Sequence, residues 1–347
     1  MSQPLPHIAV VGAGNIGCYI GGRLHGHARV SLIGRPRMAS AVAEHGLQLS
    51  DLQGYERRLG ADEVEFHTDL RAADGAQLIL VTVKSDATVE VARELAQTLS
   101  RPSLLLSLQN GLRNADSLRQ CLPTHTVLAG MVPFNVLQRA PAAFHQGSSG
   151  HLMAQADPRL AAFLPAFREA GLALSEQADM AAVQQAKLLL NLNNAINALS
   201  DLPLREELSQ RAWRRCLAMA QREALRVFAA AGMHPARLTP LPPRWLPGVL
   251  ELPDRWFALL ASRMLAIDPL ARSSTWEDLQ AGRRTELDAI QGEVVALAAA
   301  HGLTAPVNAQ LLALVRAVEQ QRRRYGGDEL LHLLQQAARN VPGNSRS

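Results

Sequence analysis

The chain has 347 residues, about two domains' worth at ~150 residues each, and 48% of them are hydrophobic, enough for substantial cores. Charged residues at 19% and a formal net charge of +4 exclude a disordered tail protein, and the scattered basic residues form no aromatic-interleaved stripe of the kind that binds nucleic acid. Of the 35 basic residues 33 are arginines, and lysine stands only at Lys84 and Lys187. The densest basic run, Arg322-Arg323-Arg324, reads as a solvated helix face. No stretch approaches the ~20 consecutive apolar residues a spanning helix needs, and no secretory signal pattern opens the chain. Cys18, Cys121 and Cys216 are scattered without C-x-x-C spacing, so neither a metal site nor a disulfide framework is predicted and a cytoplasmic setting is expected.

Short apolar runs over 7–11, 29–33, 78–83, 103–108 and 126–129 predict buried strands. Helical patterns over 16–25 and 88–99 lie between them, and this alternation predicts a parallel sheet covered on both faces. From 140 to 175 the pattern loosens, with Gly147-Ser-Ser-Gly150 as a turn between two short strands. After about Gln177 the chain turns helical: 181–199, 206–232, 256–267, 274–301 and 308–321 all predict helices. The Pro-rich stretch 240–253 is expected to be a loop interrupting them.

The segment His7-Ile-Ala-Val-Val-Gly12-Ala-Gly14-Asn15-Ile16-Gly17 places G-x-G-x-x-G after a predicted strand and at the start of a helix. Gly12 permits the tight turn, Gly14 lets a pyrophosphate approach the backbone, and Gly17 lets helix and strand pack closely. The phosphates of a dinucleotide would rest on the free N–H groups through Asn15, Ile16 and Gly17. The fold class predicted is therefore α/β: a Rossmann-type dinucleotide-binding domain over 1–176, followed by an all-α substrate domain over 177–340. The second strand ends in Arg35 where an acidic ribose ligand stands in NAD and FAD sites, and an arginine there can grip a 2′-phosphate with both arms of its fork. The cofactor expected is NADP(H), and a flavin is disfavoured. Lys84 follows the third strand and Asn110 the fourth, at the carboxyl ends that line a ligand crevice in a parallel sheet; Asn110-Gly111 is also an ordinary turn signal.

In the helical half, Lys187, Asn191 and Asn194 fall within an arc of about 60° at ~100° per residue, flanked by long apolar side chains. A cation and amides aligned on an apolar helix require partners, and a ligand is the natural one. Burial lowers a lysine's pKa and makes it a proton donor near neutrality, which arginine cannot be. Further on, Ser274-x-x-Glu277 fits a capping box, and Glu286 follows Arg283 and Arg284, with which it could simply pair.

Taken together, the glycine loop, the strand ending in Lys84, Gln109-Asn110-Gly111, the helix Lys187-Leu-Leu-Leu-Asn191 and Ser273-Ser274 … Arg283-Arg284-Thr-Glu286-Leu-Asp resemble the ketopantoate reductase family, NADP-dependent 2-dehydropantoate 2-reductases, over about residues 7–320. The resemblance implies that Lys187 donates the proton to the substrate carbonyl and that Asn191 and Ser274 bind substrate. It implies that Lys84 and Asn110 contact the cofactor, with Asn110 also reaching substrate, and that Glu286 sits by the cofactor and the active centre. Where the family has a second substrate asparagine two turns after the lysine, this chain has Ala195; Asn194 or Asn197 substitutes, and the helix face favours Asn194. No later substrate asparagine is matched in 200–208, and 240–253 is extra length.

The activity expected is reduction of a small anionic 2-oxo acid, foremost ketopantoate, by NADPH. Another 2-oxo acid, a ketone or an imine is the rival substrate, and a non-catalytic NADP-binding sensor is the rival class. The other partner considered is a second copy of the chain in a homodimer, with no nucleic acid and no membrane.

Overall fold

A computed structural model describes residues 4–260 and 271–340. The chain separates into two compact units, Met1–Ala181 and Ala182–Ser347.

The first unit opens with β1 (His7–Val11), α1 (Asn15–Leu24), β2 (Arg29–Ile33), α2 (Pro36–His45), β3 (Leu47–Asp51), β4 (Glu56–Leu59) and β5 (Phe66–His67). It continues through β6 (Leu78–Val81), α3 (Thr88–Thr98), β7 (Leu104–Ser107), α4 (Asn114–Cys121) and β8 (Thr126–Met131). It closes with β9 (Val136–Ala140), β10 (Ala143–Gln146), β11 (Leu152–Gln155), α5 (Leu164–Glu169) and β12 (Leu174–Gln177). The main sheet has eight strands in the order β12-β11-β8-β7-β6-β1-β2-β5. From β8 to β5 all pairings are parallel, with Val10 opposite both Leu32 and Leu80, while β11 runs antiparallel to β8. Ile8–Val11 and Leu78–Val81 are buried throughout, which is why these central strands read as unbroken apolar runs.

A second sheet, β4-β3-β10-β9, was not legible in the sequence. Its strands have four or five residues and carry only one or two buried apolar side chains each among polar neighbours, as in Leu47-Gln-Leu-Ser-Asp. Leu47, Leu49, Leu59, Val136 and Phe144 of this sheet join the same core as Ile8, Val10, Tyr19, Ile20 and Leu24. The expected turn 147–150 does join two short strands, β10 and β11, but they belong to different sheets.

The second unit is built from helices alone among its described residues. α6 (Met180–Asn191) leads into α7 (Asn193–Ser200), α8 (Leu204–Ser209), α9 (Arg211–Ala230), α10 (Leu246–Leu250) and α11 (Asp254–Leu260). After the undescribed stretch come α12 (Ser274–Gln280), α13 (Gln291–Ala300), α14 (Pro306–Gln320) and α15 (Gly327–Arg339). The spine is α9, against which α7, α8, α10, α13, α14 and α15 all pack. It buries Trp213, Leu217, Ala220, Ala224, Val227 and Phe228, the spacing of one apolar helix face.

Several expected elements change. The stretch 240–253 is not simply a loop: it contains α10, whose Leu246 and Leu250 are buried and whose Pro247 sits in the first turn, where proline costs a helix nothing. Fully buried Arg214 anchors it, donating to the carbonyls of Leu250 and Leu252 and to the Asp254 carboxylate, with its guanidinium 4.1 Å from the Phe257 ring centre. The helix expected over 206–232 starts only at Arg211, with α8 separate before it. Of the helix expected over 256–267, α11 covers the beginning, and 261–267 lies outside the described residues. The single helix expected over 274–301 breaks after Gln280. Gly282 takes φ +62°, its N–H bonding Leu279 O (3.1 Å) while Arg283 N bonds Asp278 O (2.7 Å), the αL stop of a Schellman motif. Arg322-Arg323-Arg324 is no helix face; it forms the connection between α14 and α15.

Candidate active site

In the first unit three loops converge at the carboxyl edge of the parallel sheet. Gly12 adopts φ +106°, and a Cβ built on it would lie 2.5 Å from Val83 N. A Cβ on Gly17 would lie 2.4 Å from Gly12 O, so neither position admits a side chain. Gly14, by contrast, faces open space, its nearest neighbour being Gly12 O at 4.0 Å. The loop is pinned by Thr82, whose Oγ1 donates to Gly12 O (2.8 Å). The first turn of α1 has neither a capping side chain nor an acidic residue, which leaves its N–H groups for an anion. Asn15 spends its side chain on Val136 O (3.0 Å), and Ile16 packs on the core, so both offer a ligand their backbone N–H. This cradle fits a dinucleotide pyrophosphate. At the end of β2, Arg35 is exposed at the N-cap of α2, and no carboxylate is paired with it or with Arg37 among the described residues.

Lys84 and Asn110, both half-buried, lie on adjacent loops after β6 and β7. Ser85 Oγ donates to Asn110 O (3.2 Å) and accepts from Asn114 Nδ2 (2.9 Å), which also donates to Asn110 O. Gln109 Nε2 donates to Thr88 Oγ1 (2.7 Å) and Val83 O (3.1 Å), and Thr88 Oγ1 donates to Asn114 Oδ1 (2.8 Å). Gly111 takes φ +90°, so the turn reading of Asn110-Gly111 and the site reading hold together. Sequence reasoning missed Ser85, Thr88 and Asn114 and gave Gln109 only as part of the Gln109-Asn110-Gly111 motif; the signal was their clustering just past two apolar strands.

In the second unit Lys187 is half-buried on α6, and burial lowers its ammonium to about 8. Asn191 ends α6, and the helix breaks at Leu192 before Asn194, so the polar stripe spans two helices instead of one. Buried glutamines hold the break: Gln221 Nε2 donates to Leu189 O (3.1 Å) and Gln291 Nε2 to Leu192 O (2.8 Å).

Of the two asparagines that could replace the family's second one, Asn197 is fully buried and its amide is committed inside the fold. Its Nδ2 donates to Glu207 Oε2 (2.6 Å) and Leu202 O (2.9 Å), and its Oδ1 accepts from Ser273 N (2.8 Å). Asn194 is half-buried and, among the described residues, gives its backbone carbonyl alone, which accepts from Ser273 Oγ (3.3 Å). Ser273, not Ser274, is the N-cap of α12, accepting from Trp276 N at 3.1 Å. The capping box expected at Ser274 is therefore absent, and exposed Ser274 keeps its hydroxyl for other partners. Glu286 is half-buried ahead of the short turn Leu287–Ala289, not three turns along a helix. The arginines beside it have other carboxylates: Arg283 pairs with Asp278 (2.9 Å) and Arg284 with Asp288 (3.4 Å). Thr285 is held by Glu319 through its N–H (3.1 Å) and its hydroxyl (2.7 Å). The sequence-predicted residues divide between the units: the glycine loop, Arg35, Lys84 and Asn110 belong to the first, and Lys187, Asn191, Asn194, Ser274 and Glu286 to the second.

A family model described as "Ketopantoate reductase PanE/ApbA" matches residues 8–158, and its C-terminal counterpart matches 179–319. A PanE/ApbA family ketopantoate reductase from Ralstonia eutropha JMP134 superposes with TM-score 0.76 at 30% identity, over 91% of this chain and 99% of that one. The chain belongs to the ketopantoate reductase family. It is an oxidoreductase of the C=O/CH–OH class. A 2-dehydropantoate 2-reductase from Halobacterium salinarum is 29% identical over 320 residues, 90% of this chain and 98% of that protein. A D-mandelate dehydrogenase solved with NADH and anilino(oxo)acetate shares the fold at TM-score 0.74 and 20% identity, over 91% of this chain and 99% of that one.

In this ketopantoate reductase family member Glu207 is buried and raised to about 7 by burial, with the hydrogen bonds from Asn197, Asn193 and Ser200 opposing the shift. Through Asn197 it is linked to the Ser273 N–H, and so to the start of the helix that carries Ser274. Sequence reasoning missed Glu207, Gln221 and Gln291; nothing in local pattern separates them from surface polar residues.

Proposed function

We propose that this chain reduces a small 2-oxo acid, foremost ketopantoate (2-dehydropantoate) to pantoate, with NADP(H) as its cofactor. NADPH supplies the hydride. The observation that carries the reading is Lys187: an ammonium lowered to about 8 by burial, one helical turn from Asn191, in a chain whose one other lysine is Lys84. Lys187 gives its proton to the carbonyl oxygen, and its charge stabilises the developing alkoxide. Asn191, Asn194 and Ser274 hold the substrate's hydroxyl and carboxylate groups. Glu286 and Asn110 stand by both ligands. On the cofactor side, Gly12, Gly14, Asn15, Ile16 and Gly17 cradle the pyrophosphate, Lys84 contacts the nucleotide, and Arg35 grips the 2′-phosphate.

The test is steady-state oxidation of NADPH with ketopantoate. Turnover with ketopantoate, and a large rise in KM or fall in kcat/KM when NADH replaces NADPH, supports the reading. Turnover only on other 2-oxo acids, ketones or imines refutes the substrate. Tight NADPH binding without turnover on any carbonyl refutes the enzyme reading in favour of a sensor.

A further inference from the structure

We propose a second anion site, in the helical unit, that takes a small ligand carrying at least two phosphoryl groups. A groove of about 850 Å³ is lined by Arg272, Arg283, Arg284, Arg322, Arg323 and Arg324 against only two carboxylates, Asp201 and Glu319. Its volume lies in the range of small-molecule sites. All but Arg272 are exposed, and the six come from three separate segments: the lead into α12, the turn after it and the α14–α15 connection.

Two of the groove arginines have a carboxylate of their own outside the lining, Arg283 on Asp278 (2.9 Å) and Arg323 on Glu329, and the remaining carboxylates are shared. Asp201 is shared by Arg272 (3.5 Å), Arg324 and the Trp276 indole N–H (2.5 Å). Glu319 spends one oxygen on both the Thr285 N–H and its hydroxyl. Asp288 is shared by Arg284 and Arg316. Arg322 pairs with no carboxylate among the described residues; it donates to Gln280 Oε1 (2.8 Å), Leu279 O (3.0 Å) and Gln280 O (3.3 Å), at the C-terminal end of α12.

Several of these groups are held in place before any ligand arrives. The Arg272 guanidinium lies 4.2 Å from the Trp276 ring centre and donates to Asp201 O (2.7 Å). Asp201 itself occupies the left-handed region at φ +58°, which an aspartate adopts less readily than glycine. Arg323 lies over the Tyr325 ring, 4.5 Å from its centre. Concentrating like charges in a concavity raises the local potential for an anion. Guanidinium forks match phosphate oxygens two at a time, and exposed ion pairs such as Arg284–Asp288 are weak enough to be exchanged for a phosphate. Forks from three segments suit a ligand with two charged groups better than one with a single group. Nothing in this inference depends on the substrate or on the cofactor read above.

Calorimetric titration of the full chain with inorganic pyrophosphate, with and without saturating NADPH, tests it, with orthophosphate as the comparison. Expected are saturable pyrophosphate binding that persists under NADPH, at least tenfold weaker orthophosphate binding, and weakening with added salt. Arg322→Ser is expected to weaken pyrophosphate at least tenfold while leaving ketopantoate turnover and NADPH affinity unchanged. If that variant does not fold, Arg322→Lys, which keeps the charge and loses the fork, is expected to weaken it several-fold. Loss of all pyrophosphate binding under NADPH, binding unchanged in the folded Arg322 variant, or equal affinity for orthophosphate each overturns the proposal.

Discussion

At the scale of single residues, one lysine carries both the proposed acid role and a cost. Burial disfavours the Lys187 ammonium, so its value falls from 10.5 to about 8 in the folded chain. The folded state then binds fewer protons than the unfolded one between those values, and stability rises with pH across that window. At pH 7 the ammonium is present and its desolvation opposes folding. Lys187→Met is therefore expected to raise stability at pH 7 by about 1–2 kcal/mol in denaturant titrations, with the gain shrinking above pH 8, while turnover is lost. Lys187→Arg keeps a cation that does not release its proton; a 10²–10⁴-fold fall in kcat is expected with NADPH affinity nearly intact, as read by stopped-flow turnover and fluorescence titration. Wild-type turnover in that variant excludes the acid role. In the native enzyme kcat should decline as pH rises through about 8. The neighbouring asparagines show where single-residue reading ends. The helix face favours Asn194 over Asn197 in the sequence, and the structure supplies what separates them, Glu207, ten residues beyond Asn197. Asn197→Ala leaves Glu207 and the Ser273 N–H short of partners and is expected to cost about 2–3 kcal/mol of stability, measured by chemical denaturation.

At the scale of elements, the strand–loop–helix of the glycine motif was legible from end to end because its constraints are local. A Cβ on Gly17 meets a backbone oxygen of the same loop, so Gly17→Ala must move the loop. At least tenfold weaker NADPH binding is expected, with a lowered melting temperature, both measurable by thermal shift. The helical half was legible in its helix content but not in its breaks. The stop after Gln280 has a local cause in Gly282, whereas the break at Leu192 has none nearby: its carbonyl is taken by Gln291, 99 residues away. The cap of α12 likewise falls on Ser273, one residue before the expected Ser274, because Ser273 is buried and bonded to Asn194 and Asn197. Ser273→Ala is expected to cost about 1–2 kcal/mol by denaturant titration and to raise KM more than it lowers kcat, since it loosens the helix carrying Ser274.

For the molecule as a whole, buried carboxyls set a pH trend. Glu207 and Glu277 are both raised from 4.5 to about 7, chiefly by burial. Between those values the folded state binds more protons than the unfolded one, so these groups withdraw stability as pH rises from 4.5 through 7. The half-exposed Glu65, lowered to about 2 by Arg29, Ser31 and His67 against its own desolvation, contributes stability above 4.5 that is lost as pH falls through 2. Glu207→Gln is expected to flatten the decline between pH 5 and 8 relative to the native chain, by up to about 1.4 kcal/mol per pH unit in that window. Equal slopes for the two proteins in melting curves across that range exclude an ionising Glu207.

The sequence alone determined the α/β-then-helical order, the central strands, the dinucleotide loop, the basic end of β2 and the residue types of the candidate site. These rest on neighbours in the chain: alternation, a glycine that no side chain can replace, a lysine where arginine is the rule. Tertiary structure alone decided the second sheet, the helix break at Leu192, the cap at Ser273, the burial of Asn197 on Glu207 and the gathering of six arginines around one groove. Those outcomes are settled by which distant donor meets which carbonyl or carboxylate once the chain has folded, and no window of sequence contains both partners.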